Sequence, residues 1–226
     1  MSRIKSQILQ ANKWIVDNKL VSLTWGNVSA RVNNDIFIKP SGADLNAITA
    51  SDISTVSIDG SHKSGLKPSV DTPAHIELYE GFDGVESVVH THSKYATVFA
   101  QLKKPIPCLG TTHADYFRGS VPAIPIPDWN DKESYEKTTG KSIISYFKKN
   151  NINHFDISAA LVSNHGIFAW GETIEKALER AYVLELIAEM AYLTLAVRPL
   201  ADELNDKILE KHFERKNGNG KYYGQG

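Results

Sequence analysis

Cysteine is almost missing from this chain: 226 residues contain one, Cys108. An intramolecular disulfide is therefore excluded, and such usage fits a reducing cytosol, so a cytoplasmic location is expected. No apolar run approaches the roughly 20 residues that a membrane span requires. The opening Met1-Ser2-Arg3-Ile4-Lys5 leads into a mixed polar helix and does not read as a signal peptide. Neither sign of charge is in excess, since 25 Lys and Arg face 26 Asp and Glu. That balance argues against a protein that grips nucleic acid through a general basic field. Internal repeats, low-complexity tracts and linker-like segments are also lacking, which leaves one α/β domain over residues 1–226.

Against these absences stands Val88-Val89-His90-Thr91-His92. Two imidazoles one residue apart, at the end of an apolar β-branched run, project from one face of a strand. Neutral imidazole nitrogens so placed can share one divalent metal, and zinc is the commonest occupant of such sites. Asn164-His165-Gly166 reads as a tight turn between the apolar strands 159–163 and 167–171. A plain turn there rarely needs imidazole, so His165 is the candidate third ligand.

The remaining segments can be placed around this strand. A first helix runs from a Ser2 cap to Asn18, with Ile4, Ile8, Leu9, Ala11 and Ile15 on one face. A strand over 23–32 is interrupted at Gly26-Asn27, where glycine admits a ligand to the backbone and Asn offers an amide. Strand 35–39 ends in Pro40-Ser41-Gly42, a turn able to present N–H groups and a hydroxyl to an anion. Strand 54–58 extends this antiparallel region.

In Lys67-Pro68-Ser69-Val70-Asp71-Thr72-Pro73, Thr72 is expected to cap a helix that begins at Pro73 and ends near Gly81. Asp71 then lies where a carboxylate is favoured, either as a helix-end group or as part of a site. The Ser and Lys loop ahead of it is a plausible phosphate seat. Ser93 is expected to cap a helix to Gln101. His113 and Asp115, in the dense polar cluster 109–117, are either active-site groups or local turn partners. Three prolines in 121–127 mark an edge strand or an extended connection. Helices are expected at 132–149, from a Thr173 cap to Leu195, and at 202–214. The glycine-rich tail, about 216–226, keeps Tyr222 and Tyr223.

In chain order, Thr24-Trp25-Gly26-Asn27-Val28-Ser29, Lys39-Pro40-Ser41-Gly42, Asp71-Thr72-Pro73, His90-Thr91-His92-Ser93, Gly110-Thr111-Thr112-His113-Ala114-Asp115-Tyr116-Phe117, His165-Gly166 and Tyr222-Tyr223-Gly224-Gln225 form a recognisable set. It resembles the zinc-dependent class II aldolase/epimerase family over nearly the whole chain. The His-x-His pair and the Gly-Asn turn are common to the family's aldolases. The Asp115 block and the Tyr-Tyr-Gly-Gln terminus mark its epimerases.

The resemblance implies a single domain with a central, mostly antiparallel sheet flanked by helices on both faces. It implies Zn2+, or another divalent metal, on His90, His92 and His165, with Asp71 as a further ligand or close neighbour. Gly26, Asn27, Lys39, Ser41, Gly42, Ser69 and Val70 match a phosphate pocket, although Val70 stands where the epimerases usually carry a second Ser. The implied activity is inversion of C4 of L-ribulose 5-phosphate to give D-xylulose 5-phosphate, by cleaving and remaking the C3–C4 bond. Asp115 and Tyr223 would be the acid/base pair, Tyr223 reaching in from a neighbouring subunit of a homotetramer. His113, His212 and Arg215 would be auxiliary. Whether this serves arabinose use or an ascorbate-derived route stays open. The competing readings are an aldolase of the fuculose- or rhamnulose-phosphate type and a scaffold that keeps the fold without its metal.

Overall fold

β-Branched and aromatic residues suit pleated, buried strands and dominate the centre of one sheet, which has eight strands among the described residues. They are β1 (Asn27–Val32), β2 (Asp35–Ile38), β3 (Ser54–Ser57), β4 (His62–Ser64), β5 (Ser87–Thr91), β6 (Ala123–Ile124), β7 (Ala159–Val162) and β8 (Ile167–Gly171). The computed structural model describes residues 2–126, 133–218 and 222. Spatial order is β4-β3-β2-β1-β5-β8-β7-β6. All of these neighbours run antiparallel except β6 and β7, which are parallel. β6, flanked by Pro122 and Pro125, takes an edge, where a missing N–H costs no ladder bond. The His-x-His strand, β5, lies near the middle with all five residues buried.

The helices are α1 (Ser2–Asp17), α2 (Thr72–Gly81), α3 (Lys94–Leu102), α4 (Thr111–Ala114), α5 (Tyr135–Lys149), α6 (Ile174–Val197) and α7 (Asp206–Asn217). Strand alternation assigns their faces. On β8, Phe168 and Trp170 point to one side, and Trp170 packs on Phe82 after α2 and on Phe147 of α5, at ring separations of 5.0 and 5.4 Å. A Cβ on Gly171, which points the other way, would meet Lys176 and Ala177 of α6. α2 and α5 therefore cover one face and α6 the other, as expected. Trp170, Phe147 and Phe168 are fully buried, and each such side chain contributes roughly 1.5–3 kcal/mol. Among the described residues no helix is long and apolar enough to cross a membrane.

Several expected boundaries shift. The strand predicted over 23–32 begins only at Asn27, because Leu23 and Gly26 adopt positive φ and turn the chain. Ser2 lies inside α1. Thr72 is the first helical residue of α2, with Asp71 at the cap position; the Thr72 hydroxyl donates back to the Ser69 carbonyl. α5 starts at Tyr135, capped by the Ser134 side chain. α7 starts at Asp206, not 202, because the Asn205 side chain caps it by accepting from Lys207 N. The exposed edge strand β4 carried no apolar alternation in the sequence.

Candidate metal centre and active site

The register of the central strands builds the site. Antiparallel pairing sets Asn27 opposite His90, and His90 opposite Phe168. These three side chains therefore share the face covered by α2. His92 follows the last residue of β5, and the turn between β7 and β8 delivers His165 to the same spot. Asn164 makes that turn at φ 61°. Gly166 lets it close, since a Cβ there would lie 2.5 Å from the Thr91 carbonyl and 3.0 Å from the His92 ring.

The donor set fits a divalent cation. One ligand nitrogen from each of His90, His92 and His165 can be chosen so that all lie within 4.8 Å of one another. His90 Nδ1 lies 2.8 Å from the Ile167 carbonyl, so Nδ1 carries the proton and the Nε2 lone pair is left facing inward. That Nε2 sits 3.1 Å from His92 Nε2, and His165 Nδ1 is buried with no hydrogen-bond partner. Burial, then the facing imidazoles, holds both His92 and His165 down to about 4. At neutral pH they are uncharged, which is the state that a metal requires of imidazole.

Asp71 completes one wall. Its position at the head of α2 would suit a cap, yet no cap bond forms. Its carboxylate instead accepts from the Asn27 amide at 2.7 Å and from the Ser69 hydroxyl at 3.3 Å. Burial opposes its charge, but the nearby imidazoles of His90 and His75 and the Asn27 amide outweigh it and keep the carboxyl below its ordinary range. Lys39 is buried, and its ammonium donates to the Thr24 carbonyl at 2.7 Å. Burial pulls its pKa down while Asp71 supports the charge.

One cavity of about 460 Å³ gathers most of the expected residues: Gly26, Asn27, Lys39, Ser41, Gly42, Ser69, Val70 and Asp71, together with the three histidines. Ser41 and Gly42 are exposed at its rim. Ser69 turns its hydroxyl to Asp71 and Asn27. Asn27 Oδ1 is buried and unpartnered. Gly26 takes φ 70°, and a Cβ there would press on Val21 and lie 2.8 Å from the His90 carbonyl. Gly26→Ala is therefore expected to cost about 1–3 kcal/mol or more through backbone strain alone, read as a lower midpoint in urea unfolding. A midpoint equal to the parent's would refute the close approach.

Four expected residues lie elsewhere. Asp115 follows α4, and both of its oxygens are held by α7: Arg215 donates at 3.0 and 2.8 Å, and His212 Nδ1 lies at 3.1 Å. His212 and Arg215 thus hold Asp115 in this chain, and neither lines the cavity. His113 is buried, with Nε2 donating to the Gly119 carbonyl at 2.9 Å; it is a structural group of this loop and not a member of the metal cavity. Tyr223 lies outside the described residues.

A family model for the class II aldolase and adducin N-terminal domain matches residues 6–192. The chain belongs to the class II aldolase/adducin family. Within it, a probable L-ribulose-5-phosphate 4-epimerase UlaF of Mycoplasma pneumoniae is 42% identical, over 98% of this chain and 94% of that protein. The L-ribulose-5-phosphate 4-epimerase UlaF of Salmonella paratyphi C is 38% identical over the full length of both. Among solved structures, an L-fuculose 1-phosphate aldolase superposes with a TM-score of 0.80 at 25% identity, covering 95% of this chain and 96% of that one.

This member of the family also uses residues that its sequence did not advertise. Beneath Asp71, Ser29 Oγ lies 2.7 Å from His75 Nδ1 and 2.6 Å from the Tyr79 hydroxyl, all three buried. Nothing in the sequence links a strand serine to two helix residues 46 and 50 positions away. Trp25 tilts over His92 at 6.5 Å, and Tyr135 meets His165 edge-on at 5.7 Å.

His113 supplies a pH prediction independent of the metal. Burial drives its pKa from 6.5 down to about 4, against the Gly119 bond that raises it. Above 6.5 it is neutral folded or unfolded. Below 6.5 the unfolded chain takes up a proton that the native state refuses, so stability falls as pH drops toward 4. The group accounts for about 3 kcal/mol of that loss. His113→Gln should flatten the fall of unfolding free energy between pH 6.5 and 4 in metal-free protein; an unaltered slope would contradict it.

Proposed function

We propose that this chain is a divalent-metal-dependent epimerase that inverts C4 of L-ribulose 5-phosphate to give D-xylulose 5-phosphate. The observation that carries the reading is the convergence of three imidazoles in one cavity with Lys39, Ser41 and Gly42, a lining that suits a phosphate. Full-length relatives named for this activity, at 38% and 42% identity, support the substrate. His90, His92 and His165 would hold the metal, which we take to be zinc, with Asp71 beside it. When bound, the ion would supply a Lewis acid for the negative charge that C3–C4 cleavage develops.

C4 of a ketopentose phosphate carries no acidic proton, so deprotonation cannot invert it. The C3–C4 bond must break and re-form on the other face of a rotated aldehyde. Breaking it removes the proton of the C4 hydroxyl, and re-forming it returns one to the aldehyde oxygen from the opposite side. The chain therefore needs a proton-transfer group on each side. Asp115 and Tyr223 are assigned these roles.

Asp115 does not line the metal cavity of its own chain. Instead it is fastened to α7, on whose Arg215 carbonyl Tyr222 N also donates at 3.0 Å. Asp115 and Tyr222 are thus both held by α7, and we assign Asp115 and Tyr223 to the metal cavity of a neighbouring copy in a homotetramer. Lys39, with the Ser41 hydroxyl and the Gly42 N–H, would fix the phosphate while the aldehyde turns. Asn27 orients Asp71 and leaves Oδ1 free to accept from a substrate hydroxyl.

An aldolase would use the same cavity and release the aldehyde. Following L-ribulose 5-phosphate by carbon NMR separates the two. The epimerase reading requires D-xylulose 5-phosphate as the product with no build-up of glycolaldehyde phosphate. Glycolaldehyde phosphate as the main product would replace it with the aldolase reading.

A further inference from the structure

We infer that Glu185 is a positioning residue for the metal ligand His92, acting through the N-terminus of α3. The inference rests on the metal reading of the histidines. His92 is the single residue between β5 and Ser93, the cap position of α3. On its upstream side the sheet fixes it, through Thr91 paired with Ile167. Downstream it is fixed only as firmly as the first turn of α3.

A helix start leaves N–H groups without intrahelical partners, and a side chain at the cap position normally takes one of them. Ser93 has the extended backbone of a cap, φ −61° and ψ 141°, yet its side chain makes no cap bond and its buried hydroxyl has no partner. Glu185 of α6 does the work from across the chain. One oxygen accepts from Tyr95 N at 2.9 Å and the other from Ala96 N at 3.0 Å. A carboxylate straddling two N–H groups at the positive end of a helix is a charge-assisted pair of bonds. It ties the segment carrying His92 to the long helix that packs across the sheet. Both oxygens are spent on α3, so Glu185 is not a metal ligand or a proton-transfer group.

Residues that orient metal ligands typically change metal affinity 10–100-fold when removed. The test is zinc affinity, by competition with a chromophoric chelator, in the full-length metal-free parent, Glu185→Ala and Glu185→Gln, with the cobalt(II) absorption spectrum of each. The expected result is a 10–100-fold weaker zinc site in Glu185→Ala and an altered cobalt spectrum. Glu185→Gln keeps the length and one acceptor, so it should fall between the two; it also carries the test if the alanine variant does not fold. Lower melting temperatures with unchanged zinc affinity and cobalt spectra would overturn the inference, leaving Glu185 a structural cap alone. A parent protein that takes up neither metal would overturn the metal reading itself.

Discussion

His165→Ala is expected to leave a folded protein that no longer retains zinc and turns over at least about 10³-fold more slowly, a loss of about 4 kcal/mol in transition-state stabilisation. The fold should survive because His165 sits on a turn and contributes no buried packing comparable to the Phe168 and Trp170 that follow it. The metal site should not, since two imidazoles from one short segment cannot enclose an ion. Bound zinc measured by emission spectroscopy after dialysis, alongside turnover, checks both parts. A variant that keeps stoichiometric zinc and most of its activity would remove His165 from the ligand set.

The second large effect is at Asp115. Asp115→Asn preserves the shape and one acceptor for Arg215 but removes the ability to exchange a proton. General acid–base groups typically contribute 10²–10⁴-fold, so kcat should fall within that range. Zinc content should change little, because Asp115 is not one of the three imidazole ligands. This split distinguishes Asp115 from the histidines. Mixed oligomers give a sharper reading. If Asp115 serves a neighbouring copy, co-assembling Asp115→Asn chains with His165→Ala chains should restore part of the activity that each lacks alone. No restoration on mixing would place Asp115 elsewhere in the mechanism.

How far the sequence anticipated these findings depends on the range of the interactions. The central strands and the histidines were legible because their signals are local: an apolar run, a two-residue spacing, a turn with an imidazole that a turn does not need. The family pattern added the epimerase marks. The helix boundary at Thr72 was misplaced for an instructive reason. Local rules favour a capping side chain there, yet Asp71 gives its carboxylate to Asn27 and Ser69, forgoing a cap bond worth typically about 1 kcal/mol. Local preference yields to the site at this position, as expected where function competes with stability. The same holds at Ser93, where a serine in cap geometry is replaced by Glu185, which lies 90 residues from the Tyr95 N–H it accepts from. Such partners are set by tertiary packing and leave no spacing to read. The Asp115 cluster lies between these cases. Its acid and its basic partners were each visible, but their pairing across about a hundred residues was not.

The measurement that bears most directly on the proposed function is turnover of L-ribulose 5-phosphate by chelator-treated and zinc-reloaded protein, with D-xylulose 5-phosphate followed through a coupled reaction. The account predicts negligible conversion after chelation and full recovery on adding zinc back. Equal conversion with and without metal, or none with zinc bound, would contradict it.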